Sequence, residues 1–265
     1  MRSCPLAVAT RDFSAFHDLV AALRERGLLH QVVEPDRPLP LRVRVVITTP
    51  GDLPLVQPHA HAIGAAVVVH SVSDRTVANA VQALLGKGRF TRVVVGIDPG
   101  ERPGVAVIGD GVLVATAHAA SPEAAAEEAQ RAVEDVPADG YVVRVGHGAP
   151  TMRDRILVAL AARPALAHAR VEVVDETDST PQRYSSPAER DTTAAASIAL
   201  ATGSPVVSVA EPVPSEGEVR DIQRKSRLAS VGELTISRAL AHAVAVGDMT
   251  LDEALHAQRG KRAVP

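Results

Sequence analysis

Residues 93–111 read VVVGIDPGERPGVAVIGDG. Three valines lead into Gly96-Ile97-Asp98, a Pro-Gly turn follows, and GVAVI runs on to Gly109-Asp110-Gly111. The apolar runs predict strands, and Gly-Asp-Gly between GVAVI and VLVATA predicts a tight hairpin. An acid closing a strand this apolar is costly unless something pairs with it. Asp98 therefore either caps a turn or holds a cation.

Downstream the pattern changes period. Ser121-Pro122-Glu123 supplies an N-cap and a Pro at N1, and opens a helix through AAAEEAQRAVEDV. GYVVRVG predicts a strand, Thr151 to Asp154 a cap for the helix MRDRILVALAA, and ARVEVVDE a further strand. Ser186-Pro187-Ala188-Glu189 reads as a capping box launching RDTTAAASIALA. Three strands joined by short turns, then helix, strand, helix, strand, helix, define an antiparallel three-strand meander feeding parallel crossovers with helices on both faces. This block spans residues 93–204.

Residues 1–92 alternate strand-like and helix-like segments: LAVAT, the helix at 13–27, HQVVEP, VRVVITTP, AAVVVH and a helix entered near Ser73 and closed by Gly86. That order predicts a small, mostly parallel α/β domain. It has no G-x-G-x-x-G and no P-loop, so no ligand follows from it. Residues 205–265 begin with the acidic, Pro-rich linker EPVPSEGE and continue into two or three short helices, one opened by a Thr250–Glu253 capping box.

Composition bounds the function. The hydrophobic 46% is Ala, Val and Leu, with three Phe, two Tyr and no Trp, so the core must be packed from small aliphatic side chains. A net charge of −3 gives no global field toward nucleic acid or membrane, and any such partner must use a local patch. The densest basic cluster is Arg220, Arg224, Lys225 and Arg227. Cys4 is the only cysteine, which excludes an internal disulfide and fits a reducing compartment. No apolar stretch approaches the ~20 residues that span a bilayer, so the expected location is cytoplasmic.

Three acids stand at the ends of elements in the second block. Asp98 closes its first strand, Asp175 and Glu176 close its last, and Asp191 falls early in the following helix. Asp191, Ala194, Ala195 and Ile198 are spaced i, i+3, i+4, i+7, which puts the acid on the apolar face. Side chains alternate along a strand, so only one of Asp175 and Glu176 can point toward a shared site. Converging carboxylates repel by about 4 kcal/mol per pair at ~4 Å, and a divalent cation removes that cost.

These residues resemble the RNase H-like superfamily, in its RuvC and YqgF branch, over roughly residues 92–204. Gly96-Ile97-Asp98-Pro99-Gly100 with GVAVI resembles the first strand and hairpin. VVDETDST resembles the YqgF strand that ends in Asp-Glu-Arg before a Ser/Thr pair, and DTTAAASIAL resembles the last-helix motif. The resemblance implies Asp98, Glu176 and Asp191 as the metal-holding catalytic trio, Mg²⁺ or Mn²⁺ as cofactor, and hydrolysis of phosphodiesters in RNA or structured DNA. Thr177 departs from the Arg of the signature, and Ala194 stands where RuvC proteins carry a second helix acid.

Scarce aromatics argue for a grip on phosphates rather than on bases, through Arg220, Arg224, Lys225 and Arg227. Two rival readings stay open: a non-catalytic nucleic-acid-binding or scaffold protein that keeps the fold, and an actin-like ATPase fragment, which would need a second copy of the hairpin domain. A homodimer is also open. Thinner candidates are His59 and His61 as a His-x-His pair, and His147 after a strand. Ser185 and Ser186 lack a nucleophile's partners.

Overall fold

A computed structural model describes residues 4–71, 73–175 and 187–262, without the side chains of residues 73–74, 187–191 and 261–262. The first unit is β1 (Leu6–Val8), α1 (Phe13–Glu25), β2 (Gln31–Val32), β3 (Val45–Thr48), α2 (Leu53–Ile63), β4 (Ala66–Val69) and α3 (Ser73–Leu84). Its four strands are all parallel, in the order β2-β1-β3-β4. The expected parallel α/β unit is present, with two differences. HQVVEP forms only a two-residue edge strand, and residues 53–63, between the expected strands VRVVITTP and AAVVVH, form the additional helix α2. Pro54 and Pro58 disguise that helix: Pro54 occupies its first turn, where no N–H is needed, and Pro58 is tolerated inside it. His59 and His61 are therefore i, i+2 on a helix, on diverging faces, which removes the His-x-His pair.

The second unit is β5 (Val93–Asp98), β6 (Gly104–Gly109), β7 (Val112–His118), α4 (Pro122–Asp135), β8 (Tyr141–Gly146), α5 (Pro150–Ala161), a 3₁₀ turn, β9 (Arg170–Val174), α6 (Pro187–Leu200) and β10 (Ser204–Pro205). Its sheet runs β10-β9-β8-β5-β6-β7. The β5–β6–β7 meander is antiparallel, β8 and β9 lie parallel to β5, and the short β10 closes the far edge antiparallel. Asp110 (φ 47°) and Gly111 (φ 85°) form the left-handed hairpin turn between β6 and β7. Ser121 caps α4 as expected, but Thr151 does not cap α5: that helix starts at Pro150, and the Thr151 hydroxyl donates instead to Glu218 at 3.0 Å.

Alternation along β5 sorts the two faces. Val93, Val95 and Ile97 pack under α4 and α5 with Ala125, Ala126, Ala129 and Ile156. Val94 packs on the other face with Ile108, Val142 and Ala199 of α6. Gly96 belongs to the α6 face, and the helix lies so close that a Cβ there would sit 2.6 Å from the Ala199 nitrogen and closer still to the Ala195 carbonyl oxygen. The core is built from Val, Leu, Ile and Ala, as the composition requires. Phe90, wholly buried, lies over Gly109 and belongs to the continuous cluster that joins the two units. Arg26 at the end of α1, also buried, donates to the Val114 carbonyl on the open edge of β7, so the first unit covers that edge.

The C-terminal region forms α7 (Glu216–Ala229), α8 (Arg238–Val246) and α9 (Leu251–Arg262) around Val219, Ile236, Leu240, Ala241 and Leu255. Ser215 and Glu218 form a reciprocal capping box on α7, and Thr250 with Glu253 does the same for α9. No helix among the described residues is long and apolar enough to cross a membrane.

Two predictions come from these contacts. Gly96→Ala should lower the unfolding free energy by about 1–3 kcal/mol or more in denaturant titrations, because backbone, not a flexible side-chain end, occupies the space. The Asp110 carboxylate is held down to about 2 by the Lys87 ammonium, against the opposing effect of burial, with help from the Thr91 and Arg92 N–H groups. A depressed carboxylate contributes stability above its unfolded value of 3.8 and loses it as pH falls toward 2. Asp110→Asn should be less stable than wild type at neutral pH, with the gap closing as acid unfolding approaches pH 2.

Candidate functional site

The carboxyl ends of β5, β8 and β9 share one edge of the six-stranded sheet, together with the start of α5. Asp98 is the last residue of β5, half-buried and register-paired with Gly104 across the hairpin. Strand alternation puts it on the same face as Val94 and Gly96, the face that α6 covers. Asp175 follows β9 and is exposed. Glu176 lies outside the described residues. Asp191 belongs to α6 by its backbone, while its side chain lies outside the description. Of the expected helix face, Ala195 and Ile198 are buried and Ala194 is half-buried. No group of three or more His, Cys, Asp or Glu arranged for a metal ion occurs among the described residues. His147 is exposed, and its backbone N–H donates to the Val174 carbonyl at 2.8 Å.

One row of residues under α6 was not expected. Gly96, Arg144 and Glu172 are register partners across β5, β8 and β9. Arg144 and Glu172 form an ion pair at 2.8 Å, with side chains 13% and 5% exposed. Arg144 also donates to the Ala199 carbonyl at 2.7 Å, and Arg170 pairs with the second oxygen of Glu172 at 2.9 Å. The signal is present in the sequence as a lone Arg inside YVVRVG and a Glu at the centre of RVEVV, charges set among apolar strand residues, with Arg170 at the start of the second strand.

The helical C-terminal region docks on the same edge. Thr151 at the start of α5 donates to Glu218 of α7. Burial pushes the Glu218 carboxyl up, but hydrogen bonds from the Ser215 backbone and hydroxyl and from Thr151 outweigh it and leave it below its ordinary value. Arg155 of α5 binds Glu123 through two hydrogen bonds of 2.9 and 3.0 Å and reaches the Ala245 carbonyl of α8 at 3.2 Å. Lys225 of α7 is bonded to Glu101, three residues beyond Asp98, and to Asp221 at 3.1 Å. The Glu101 hydrogen bond is the largest influence raising the Lys225 ammonium above its ordinary value.

The basic cluster is thus partly neutralised. Arg224 is paired with Asp221, Lys225 with Glu101 and Asp221, and Arg220 and Arg227 are exposed. The helix presents a mixed surface rather than a uniform cationic stripe.

A second polar cluster lies at the carboxyl edge of the four-stranded sheet, between β1 and β3, where the strand order reverses direction. Such a switch point is where open α/β sheets present ligand sites. Here Asp52 accepts from the Thr10 hydroxyl at 2.8 Å, the Arg11 N–H at 2.7 Å and the Thr49 hydroxyl at 3.0 Å. Burial raises its carboxyl, and these donors more than offset that, leaving it low. The donors that gather there are therefore directed at the chain's own carboxylate. The sequence signal is Thr10-Arg11 after LAVA and Thr49-Pro-Gly-Asp52 after VVIT.

Comparison with known families matches residues 5–86 to a model described as a response regulator receiver-like domain, and residues 215–261 to one described as a three helical bundle domain. The first covers β1 through α3, and the second covers α7 through α9. No curated protein matches the chain.

The Lys225–Glu101 contact makes one prediction. Glu101→Gln removes a counter-charge from Lys225 and should tighten binding of a polyanion such as heparin, measured at low salt, with the gain disappearing as salt is raised. Glu101→Gln combined with Lys225→Met should show no such gain.

Proposed function

We propose that residues 93–204 form an RNase H-like domain and that the protein is a divalent-metal-dependent nuclease acting on RNA or structured DNA. The observation that carries this reading is the seating of α6. The helix touches β5 at Gly96, and its contact residue is Ala195. Asp98 lies two residues beyond that point, about 7 Å along the strand, and position 191 lies four residues before it, about 6 Å along the helix. Both acids are therefore tied to one point of contact. The strand order β7-β6-β5-β8-β9, with α4 and α5 on one face and α6 on the other, supports the same reading.

The donor set is carboxylate oxygen throughout, which suits Mg²⁺ or Mn²⁺. Asp98, Glu176 and Asp191 would hold the ion, which when bound activates water and stabilises the leaving oxygen of a phosphodiester. The chain's own part is to hold these carboxylates deprotonated and close, and to offer Arg220 and Arg227 to flanking phosphates. The receiver-like unit and the bundle are docked modules on this domain, the bundle at the edge that carries Asp98.

A second reading, a nucleic-acid-binding or scaffold protein without turnover, is favoured by the pairing of Arg224 and Lys225 with acids, and by Thr177 and Ala194. An actin-like ATPase is disfavoured, because the four-stranded sheet is wholly parallel and is not a second copy of the meander.

The test is Mn²⁺ binding and cleavage of RNA and branched DNA by wild type and Asp98→Asn. A nuclease binds the ion, and Asp98→Asn loses both affinity and cleavage by about two orders of magnitude or more. Binding without cleavage points to the scaffold, and absence of both refutes the nuclease.

A further inference from the structure

Two cross-strand rows of the six-stranded sheet end in alanine. Ile97, Val105 and Ala117 are register partners across β5, β6 and β7, and so are Val95, Val107 and Ala115. Directly opposed residues share a face, so both rows lie on the α4 side of the sheet, away from α6. Over β5 the alanines of α4 cover these rows. At β7 the side chains shrink to methyl groups, and a cleft of about 300 Å³ opens between α3 and α4. Small-molecule sites occupy ~300–1,000 Å³ and favour junctions between units.

The floor is Val105, Val107, Ala115 and Ala117, with Ala132 and Val136 of α4 as a wall. The Thr116 hydroxyl at its margin is bonded to Glu25 of α1, so the floor offers a ligand aliphatic surface. The mouth carries charges of both signs. Glu128, Arg131 and Asp135 are spaced i, i+3, i+7 along α4, and Arg75 of α3 stands opposite. Arg75 and Asp135 are 3.6 Å apart, beyond hydrogen-bond length, and both are 54% exposed. Arg131 lies 2.8 Å from Glu128 on its own helix. Exposed pairs of this kind add little stability, so a ligand can take over either partner at small cost.

Charge selects the ligand. A simple anion that meets Arg75 or Arg131 is repelled by Glu128 and Asp135, and a simple cation suffers the reverse. A molecule that carries both signs on neighbouring atoms is attracted by all four. We infer that the cleft binds a free α-amino acid with a branched aliphatic side chain. Its carboxylate accepts from Arg75 and Arg131, its ammonium donates to Glu128 and Asp135, and its hydrocarbon end lies on the valine and alanine floor. Arg75 belongs to the receiver-like unit and the floor to the six-stranded unit, so the ligand bridges the two. The metal reading plays no part in this, because Asp98 is on the other face of the sheet.

The test is calorimetric titration of the full chain with L-leucine, 4-methylpentanoate and 3-methylbutylamine. The second compound lacks the ammonium and the third lacks the carboxylate. Leucine should bind with a Kd on the order of 100 µM, and each truncated compound about tenfold more weakly or worse. Arg131→Gln changes an exposed side chain, so it should keep the wild-type thermal midpoint without leucine and weaken leucine binding about tenfold. Ala115→Leu fills the floor at a half-buried position and should abolish binding with the fold retained.

Failure of wild type to bind leucine at about 10 mM overturns the inference. Equal affinity for leucine and 4-methylpentanoate, or for leucine and 3-methylbutylamine, overturns recognition of a zwitterion. Unchanged leucine binding in both Arg131→Gln and Ala115→Leu overturns the assignment to this cleft. Each of these outcomes leaves the metal reading standing, since Mn²⁺ binding by wild type and Asp98→Asn tests that separately.

Discussion

The close approach of α6 to β5 at Gly96 is the constraint on which the six-stranded unit depends. Helix backbone against strand backbone leaves no volume for a side chain at that position, so one residue without a Cβ decides how deep the helix lies. Depth then decides which helix face meets the sheet. Ala195, Ile198 and Ala199 become core, and the helix C-terminus comes over the Arg144–Glu172 pair. A sheet with α4 and α5 on one side needs this cover on the other, or Val94, Ile108 and Val142 would face water.

The same economy of volume runs through the chain. With almost no large aromatics, layers approach closely and alanine-rich helix faces do the packing: Ala125, Ala126, Ala129 and Ala132 on α4 lie over the valines of β5 and β6. Phe90 is the exception, a single large ring at the junction of the two α/β units, accommodated because Gly109 gives it room. The two units therefore share one core, and Arg26 and Glu25 from α1 reach across to the edge strand β7. The helical C-terminal region is attached differently, by charged and polar contacts through Lys225, Glu218 and Arg155. Apolar burial is insensitive to salt, whereas surface ion pairs are screened, so the bundle is the element whose docking responds to ionic strength.

Local signals in the sequence suffice where one residue determines the outcome. The Gly-Asp-Gly hairpin, the Ser121-Pro122 helix entry, the Thr250–Glu253 box and the meander followed by crossovers are all present, because turn chemistry, caps and apolar periodicity act over a few residues. The misses have one local cause and two distant ones. Proline at the first turn hid α2. Thr151 has the spacing of a cap, yet its hydroxyl goes to a partner 67 residues away. The basic cluster on α7 was visible as a charge count, but its partner Glu101 lies in a distant loop.

By itself the sequence determined the order and type of most elements, α2 excepted, the small-residue core and the placing of acids at element ends, since each follows from side-chain period and backbone preference. It also carried, unread, two charges set among apolar strand residues. Only the tertiary structure decided that Arg144 and Glu172 are neighbours, that Gly96 is the seat of a helix a hundred residues later, and that the bundle covers the edge where Asp98 stands. Those facts depend on strand order and register, which arise from contacts between segments far apart in the chain and leave no period within any one of them.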